Sequence, residues 1–218
     1  MELQVLYEDN HIIAVVKPAG VLSQGDKTGD ISIFDEIKKY LKEKYKKPGN
    51  VFLGLVHRLD RPVSGIMLFA KTSKGASRLS EQFRNREVKK MYHAIVCGNP
   101  GKNKGLLTHH VIKDEKLKKA RKSEKGEEAN LYYEVIKSNG KYSLLKIKID
   151  TGKFHQIRSQ LSFAGFPILG DIKYKGEEWE GDKAIALRAA HITFKAATEE
   201  RMVNLTIDVP EEWQRYIK

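Results

Sequence analysis

The sequence fits an α+β domain, and three features of its 218 residues support this class. About nine segments have the alternating or continuously apolar pattern of short strands, whereas only three have the spacing of helices. The composition, 40% hydrophobic and 31% charged, is that of a soluble globular protein with a core. No repeat, low-complexity linker or change of composition divides the chain, so residues 1–218 are predicted to form one domain.

Composition and charge also limit the classes of function that the chain can have. The net charge of +12 and the pI near 9.5 point to a polyanionic partner, and nucleic acid is the usual one. One cysteine, Cys97, excludes an internal disulfide, and without a CxxC pair or an HxxxH spacing no metal site is expected. The chain starts without a signal-peptide pattern and has no run of about eighteen apolar residues, which predicts a cytoplasmic protein without membrane association.

The first two strands, residues 3–8 and 11–16, are predicted to form a hairpin that ends at Lys17. A second interpretation of Lys17 is that it faces a bound nucleic acid. Two further apolar strands are predicted over residues 51–56 and 66–70, on either side of a charged turn.

Residues 32–46 are predicted to form a helix, because apolar residues recur at helical spacing and Ser32 with Asp35 fits a capping box. Its other face is either solvated or in contact with nucleic acid, and it carries Lys38, Lys39, Lys42, Lys46 and Lys47. A second helix is predicted to begin with Ser73 as its cap and to end near residue 86.

In the second half of the chain, alternation over residues 88–98 predicts a strand with Lys90 and Tyr92 on one face. Residues 113–128 contain seven basic side chains and are predicted to form a mobile basic loop or hairpin. Contact with nucleic acid and simple solvation both remain open for this loop. Other strands are predicted over residues 105–112, 130–137, 141–150, 183–196 and 201–209, with a helical turn from residue 210.

A third helix is predicted after the Thr151-Gly152 turn, with Ile157 and Leu161 facing inward. Gly165 ends this helix, and a proline two residues later prevents its resumption.

The charged turn between the two apolar strands is the most informative stretch. It has the sequence HRLDRPVSG, residues 57–65, and it places the carboxylate of Asp60 between two arginines. A carboxylate at the mouth of a turn between core strands is well placed for catalysis. The alternative for a lone aspartate in a turn is a helix cap or an Asx-turn.

Three ordered motifs resemble those of the RluA family of pseudouridine synthases. HRLDRPVSG resembles HRLDxxTSG, with Val63 in place of threonine, and residues 90–98 match KxYxAxVxG. Residues 151–171 are similar to TGRxHQIRxHLxxxGxPxxGD, with Lys153 and Gln160 in place of arginine and histidine. With an N-terminal segment that also resembles the family, the similarity covers nearly the whole chain.

The resemblance implies a pseudouridine synthase fold: a central, mixed and largely antiparallel bent sheet flanked by helices, with the active cleft across its middle. It implies a single catalytic domain without the S4 module that many members carry. The expected activity is isomerisation of specific uridines to pseudouridine in ribosomal or transfer RNA. No cofactor and no protein partner is expected, and a monomer suffices.

The same resemblance implies three catalytic residues. Asp60 attacks C1′ of the ribose as a nucleophile or acts as a base at C2′, and the residues leave both routes open. Arg158 is implied to be the ion-pair partner of that carboxylate, a role that suits a guanidinium. Tyr92 is implied to stack on the uracil and to assist removal of the proton from C5.

Further residues are expected to bind the RNA or shape the site. By resemblance, Arg58 fills the space left by a flipped-out nucleotide, with a surface phosphate contact as the alternative. Two other cations, two histidines, an amide and an apolar wall residue complete the expected binding set: Arg61, Lys153, His57, His155, Gln156 and Ile157. The histidines and Gln156 are expected to orient loops through hydrogen bonds rather than to carry protons.

Two other classes of function are alternatives. A non-catalytic RNA-binding or assembly protein on the same scaffold is expected to have lost Asp60, Tyr92 or Arg158, and all three are present. A glycoside hydrolase needs a second acid, and the motifs offer Asp150 and Asp171 without an obvious pairing to Asp60.

Overall fold

The computed structural model describes residues 2–179 and 184–218, which fold into two compact units. One unit comprises Met1–Lys89 and His191–Ile207, and the other comprises Lys90–Ala190 and Asp208–Lys218. The single domain expected over residues 1–218 stays a prediction. Within the described residues, no helix has the length and apolar character needed to cross a membrane.

The described residues contain eleven strands and three α-helices. The strands are β1 (Val5–Glu8), β2 (Ile12–Lys17), β3 (Gly54–Leu55), β4 (Ser64–Ala70), β5 (Lys89–Cys97), β6 (Lys104–Asp114), β7 (Lys119–Lys122), β8 (Glu127–Ser138), β9 (Tyr142–Ile149), β10 (Leu187–Lys195) and β11 (Met202–Thr206). The helices are α1 (Ile33–Lys44), α2 (Ser73–Arg84) and α3 (Gln156–Phe163), with 3₁₀ turns at Ile172–Tyr174 and Glu211–Tyr216.

In the first unit, the sheet is built on two completely buried strands. β2 pairs antiparallel with both β1 and β4, β3 pairs with β4, and β10 pairs with β11. Every residue of β2 and β4 is buried, which explains their continuous apolar runs. Leu79 of α2 and Phe194 of β10 join the core that these strands form. The charged turn that leads into β4 therefore rests on closely packed side chains.

Local sequence signals set the helices of this unit. The Ser32 hydroxyl accepts from the Asp35 amide, and the Asp35 carboxylate accepts from the Ser32 amide, so the predicted capping box is confirmed. For α2 the predicted cap at Ser73 is wrong by one residue. Thr72 is the cap, and its hydroxyl accepts from the Gly75 amide at 3.1 Å.

The carboxylate of Glu8, at the end of β1, joins this strand to α1 and to the residue that follows β4. It accepts hydrogen bonds from Lys44 and Lys71 at 2.7 and 2.6 Å, and from Tyr45 and Tyr40 at 2.6 and 3.0 Å. Burial alone would raise the pKa of Glu8, but these four donors outweigh it and lower the pKa to about 2. The ionised carboxylate therefore stabilises the packing of α1 on the sheet.

The second unit is an antiparallel sheet in the order β5-β9-β8-β6-β7, with α3 packed on β6, β7 and β8. The register places Tyr92 opposite Ile147 and Ile147 opposite Tyr133, and all three side chains are buried. These three side chains therefore lie on one buried face of the sheet, whereas Ile95 and Leu144 are buried on the other face. Gly165 has φ +90° and follows the last residues of α3, as predicted.

The expected basic loop is a β-hairpin. β7 pairs with the end of β6, placing Lys113 opposite Ala120. We call residues 113–125 the basic arm. Its hairpin form confirms one of the two predicted alternatives, whereas the bounds of β7 were not predicted.

Two predicted strands differ from those observed. The strand expected over residues 51–56 has only two paired residues, those of β3, although Val51 and Leu53 are buried. The strand expected over residues 183–196 begins at Leu187, and residue 183 lies outside the described residues. The elements confirm the α+β class, and the registered pairs within each unit are antiparallel.

The Glu8 network makes a pH-dependent contribution to stability. Because its pKa is lower in the folded chain than its ordinary value of 4.5, the contribution is complete above that value and is lost as the pH falls towards about 2. We expect Glu8→Gln to lower the free energy of unfolding by about 1–3 kcal/mol at pH 7. Urea denaturation of both proteins checks this, and the difference should shrink at pH 3. Exposed Glu43→Gln is the control, and an equal difference at both pH values would contradict the assignment.

Candidate active site

The turn that carries Asp60 is fixed by its neighbours in the first unit. The Ser23 hydroxyl donates to the Leu59 carbonyl at 2.6 Å and accepts from the Leu59 amide at 3.1 Å. The Val63 amide closes the turn by donating to the Asp60 carbonyl at 3.0 Å. Asp60 is half-buried and Arg58 is exposed, so the carboxylate lies at the boundary between core and solvent.

Lys17 is completely buried beneath this turn. Its ammonium donates to the carbonyl oxygens of Pro18 and Val21 at 2.8 Å and of Arg61 at 3.1 Å. Burial lowers the pKa of Lys17 to about 7, while the negative charge of Asp60 acts in the opposite direction. The interpretation that Lys17 faces a nucleic acid is therefore wrong. Its three hydrogen bonds join the loop after β2 to the turn that carries Asp60.

Two other residues of the HRLDRPVSG motif also make contacts within the first unit. The Arg61 guanidinium donates to the Gly20 carbonyl at 2.9 Å and pairs with Asp30 at 2.6 Å. Nε2 of His57 accepts from the Leu68 amide at 2.9 Å, and its ring stacks on an aromatic ring of α2. Both side chains thus hold loop and strand backbone in place.

In the second unit, Tyr92 lies on β5 with 6% of its surface exposed. Lys90 shares its face of the strand, and burial lowers the pKa of that lysine. The predicted strand is confirmed, and Tyr92, Ala94 and Val96 share one buried face, although Ile95 on the other face is buried as well.

Arg158 lies on α3 and is 6% exposed. Its Nε and Nη2 atoms donate to the two carboxylate oxygens of Asp171 at 2.7 and 2.8 Å. This is a bidentate ion pair, and Asp171 is almost completely buried. The sequence marks Asp171 only as a possible second acid, although its place at the end of the third motif was a signal for a partner. Asp60 belongs to the other unit, and its pairing with Arg158 stays a prediction.

His155 precedes α3 in a left-handed conformation, with φ 49°. Its Nε2 lies 3.2 Å from Nη1 of Arg158, and its Nδ1 lies 2.9 Å from the Tyr174 hydroxyl. The ring also stacks on Phe154, with centroids 3.8 Å apart. Sequence reasoning missed Tyr174, because its position in a 3₁₀ turn carries no periodic signal.

The remaining residues of the third motif shape its loop. Gln156 is buried, and its Oε1 accepts from the Thr151 hydroxyl at 2.7 Å and the Lys153 amide at 3.1 Å. Its Nε2 donates to the Asn130 carbonyl at 3.1 Å. The Lys153 ammonium pairs with Glu127, whereas Ile157 is buried. His155, Gln156, Ile157 and Arg158 therefore lie together at the N-terminus of α3.

Chemically, the described residues offer a carboxylate on a fixed turn, a buried arginine held by a second carboxylate, and a buried tyrosine. Among the described parts of the chain, no three histidine, cysteine or acidic side chains come close enough to hold a metal ion.

The sequence and fold of this chain are similar to those of several known proteins. Residues 11–163 of this chain match the sequence pattern of a protein family described as RNA pseudouridylate synthase. The chain is 34% identical over 218 residues to ribosomal large subunit pseudouridine synthase C of Rickettsia prowazekii, covering 98% of this chain and 70% of that protein. It is 32% identical to ribosomal large subunit pseudouridine synthase D of Borreliella burgdorferi, covering 79% and 54% of the two chains.

Solved structures show the same fold. Human RNA pseudouridylate synthase domain containing 4 superposes with a TM-score of 0.81 at 24% identity, covering 98% of this chain and 91% of that one. Human RNA pseudouridylate synthase domain containing 1 gives a TM-score of 0.77 at 22% identity, covering 95% and 83%. The expected fold class is thereby confirmed.

The three carbonyls bound by Lys17 provide a test of its structural role. Lys17→Met fills similar space but leaves these oxygens without a donor, so the free energy of unfolding should fall by about 2–4 kcal/mol. Urea denaturation measures the change, with Lys42→Met on the exposed face of α1 as the control. A Lys17→Met protein as stable as this control would rule out the role.

Proposed function

This chain belongs to the family of RNA pseudouridylate synthases, and from that premise we propose that its substrate is the RNA of the large ribosomal subunit. As a member it is an isomerase that converts uridine in RNA to pseudouridine. This activity excludes the glycoside hydrolase considered from the sequence. The family match over residues 11–163, which spans Asp60, Tyr92 and Arg158, carries the activity, and the names of the relatives carry the choice of RNA. Relatives of similar sequence are named for the large ribosomal subunit, whereas transfer RNA was an equal alternative from sequence.

The reaction breaks the N1–C1′ bond, turns the uracil and joins C5 to C1′. No electron or outside group is transferred, so the protein needs to supply only a nucleophile or base, a binding surface and a proton acceptor. Asp60 is proposed to attack C1′ or to remove the proton from C2′. Hydrogen bonds from Lys17 and Ser23 fix the turn that carries Asp60. A fixed turn holds the carboxylate in one position, as attack on the ribose requires.

Arg158 and Tyr92 are proposed to complete the chemistry. A guanidinium oriented by the Asp171 carboxylate presents its charge in a fixed direction, which suits an arginine that keeps Asp60 ionised. The buried ring of Tyr92 suits stacking on a uracil, because an aromatic face holds a base without fixing its edge. That freedom is what rotation of the detached base requires.

RNA binding is proposed to use exposed cations around these residues. Arg58 is exposed beside the turn and is proposed to occupy the space of the flipped nucleotide. The basic arm is proposed to contact the phosphate backbone, and its seven basic residues outnumber its three acidic ones. We assign the reaction to a single copy of the chain in the cytoplasm.

Asp60→Asn tests the catalytic assignment. The amide cannot act as nucleophile or base, so the single-turnover rate should fall by a factor of about 10³ or more. The fold and the affinity for RNA should change little, with Kd within about threefold. Exposed Asp208→Asn is the matched control. Unchanged product formation by Asp60→Asn would remove this residue from the mechanism.

The substrate is identified in the same experiment. Large-subunit ribosomal RNA and transfer RNA are incubated with each protein, cyanoethylated, and mapped by mass, since pseudouridine has the mass of uridine. We expect one or a few modified sites in the ribosomal RNA with wild type and none with Asp60→Asn. Modification confined to transfer RNA would overturn the proposed substrate while retaining the activity.

A further prediction concerns the contact between the basic arm and RNA. Replacing Lys116, Lys118 and Lys119 with glutamine should weaken RNA binding and reduce the slope of log K against log salt by about 0.7–0.9 for each phosphate that is no longer neutralised. The same charge change at Lys39 and Lys42 of α1 and at Lys47 just after it is the control and tests the alternative RNA face. An unchanged slope for the arm variant would mean that the arm is only solvated.

A further inference from the structure

A continuous set of hydrogen bonds runs from the basic arm to Arg158. The backbone amide of Ala120, in β7, donates to the Tyr174 hydroxyl at 2.7 Å. The same oxygen lies 2.9 Å from Nδ1 of His155, and Nε2 of that ring lies 3.2 Å from Nη1 of Arg158. All four residues belong to the second unit.

The chemistry of these groups sets the direction of each hydrogen bond. A guanidinium only donates, so Nε2 of His155 accepts from Arg158. The proton of a neutral imidazole is then on Nδ1, which donates to the oxygen of Tyr174. That oxygen accepts from His155 and from Ala120 at once. It is therefore the junction between the arm and the arginine.

The ring of Tyr174 makes a separate contact with the arginine. The guanidinium carbon of Arg158 lies 5.2 Å from the ring centroid, which is cation–π geometry. The ring also meets His155 edge to face, with centroids 5.6 Å apart. Phenylalanine at this position would preserve both ring interactions and remove only the junction oxygen.

Three cations lie next in sequence to Ala120 and Tyr174, the residues of this junction, and their charge suits an anion. Lys118 and Lys119 lie on the arm, and Lys173 precedes Tyr174 in its 3₁₀ turn. Burial lowers the pKa of Lys173, and repulsion from Arg158, Lys119 and Lys118 lowers it further, while the negative charge of Asp171 acts in the opposite direction. A phosphate of bound RNA would relieve this repulsion, so RNA is the ligand that the cluster fits.

We propose that Tyr174 is a positioning residue through which an RNA phosphate bound at Lys118, Lys119 and Lys173 holds Arg158 in its working orientation. The inference rests on the proposed role of Arg158 as the partner of Asp60. Binding energy gained on the arm is in this way used to align the site. In this proposal Tyr174 acts through Arg158 and not on the substrate itself.

Tyr174→Phe is the first test. The single-turnover rate at saturating enzyme should fall about tenfold, because one junction oxygen with two hydrogen bonds is removed, whereas Kd for RNA should stay within about twofold. The control is Tyr142→Phe, which removes a hydroxyl that donates to Glu177 in the same unit, outside this set of bonds. Wild-type activity in the same assay separates failure of this inference from failure of the proposed function. A Tyr174→Phe rate equal to wild type would overturn the inference.

The link to the arm is tested with a double-mutant cycle. Lys118→Gln with Lys119→Gln should lower both affinity and single-turnover rate in the wild-type background. In the Tyr174→Phe background the same pair should lower affinity only, because the connection is already broken. If the lysine pair lowers the single-turnover rate by the same factor in both backgrounds, the proposed coupling is overturned.

Hydrogen exchange gives a readout that does not depend on activity. In Tyr174→Phe the amide of Ala120 should exchange about tenfold faster, since it loses its acceptor, while amides in β9 should keep their protection. Added RNA should slow exchange of this amide in wild type and not in the variant. Equal exchange of the Ala120 amide in the two proteins would contradict the hydrogen bond on which the inference depends.

Discussion

A cation taken out of water must receive oxygen partners, and this constraint governs the loops of both units. Lys17 satisfies it with three backbone carbonyls, and Arg158 satisfies it with the carboxylate of Asp171. Leaving either cation without these partners would cost several kcal/mol. The chain after β2 and the turn before β4 therefore converge on one ammonium group, and the residues after α3 return to one guanidinium.

The start of α3 shows how the second unit bears local strain. His155 adopts a left-handed conformation without a side-chain cap, which is unfavourable for a residue with a Cβ. Its stacking on Phe154 and its hydrogen bonds to Arg158 and Tyr174 offset that cost. The ring is thereby held at the one place where the arginine, the 3₁₀ turn and β7 can be connected.

The sequence predicted those features that leave a local or periodic trace. The Ser32 capping box located α1 to within two residues, and the alternation around Tyr92 located β5. The strand predicted over residues 51–56 is too long, because apolar side chains report burial and not backbone pairing. The choice between a loop and a hairpin stayed open for the arm, because an edge strand of lysines pairs only through its backbone. Nothing local marks Lys17 as buried, since its three partners are set by the tertiary fold.

β7 is the last strand in the order of its sheet, and an edge strand is a template for pairing with another chain. Its sequence, KARK, places three like charges on four residues. Two such edges brought together would repel each other strongly enough to oppose sheet extension between molecules. The charges of the arm thus also protect the free protein against aggregation, and this protection is needed most when no RNA covers them.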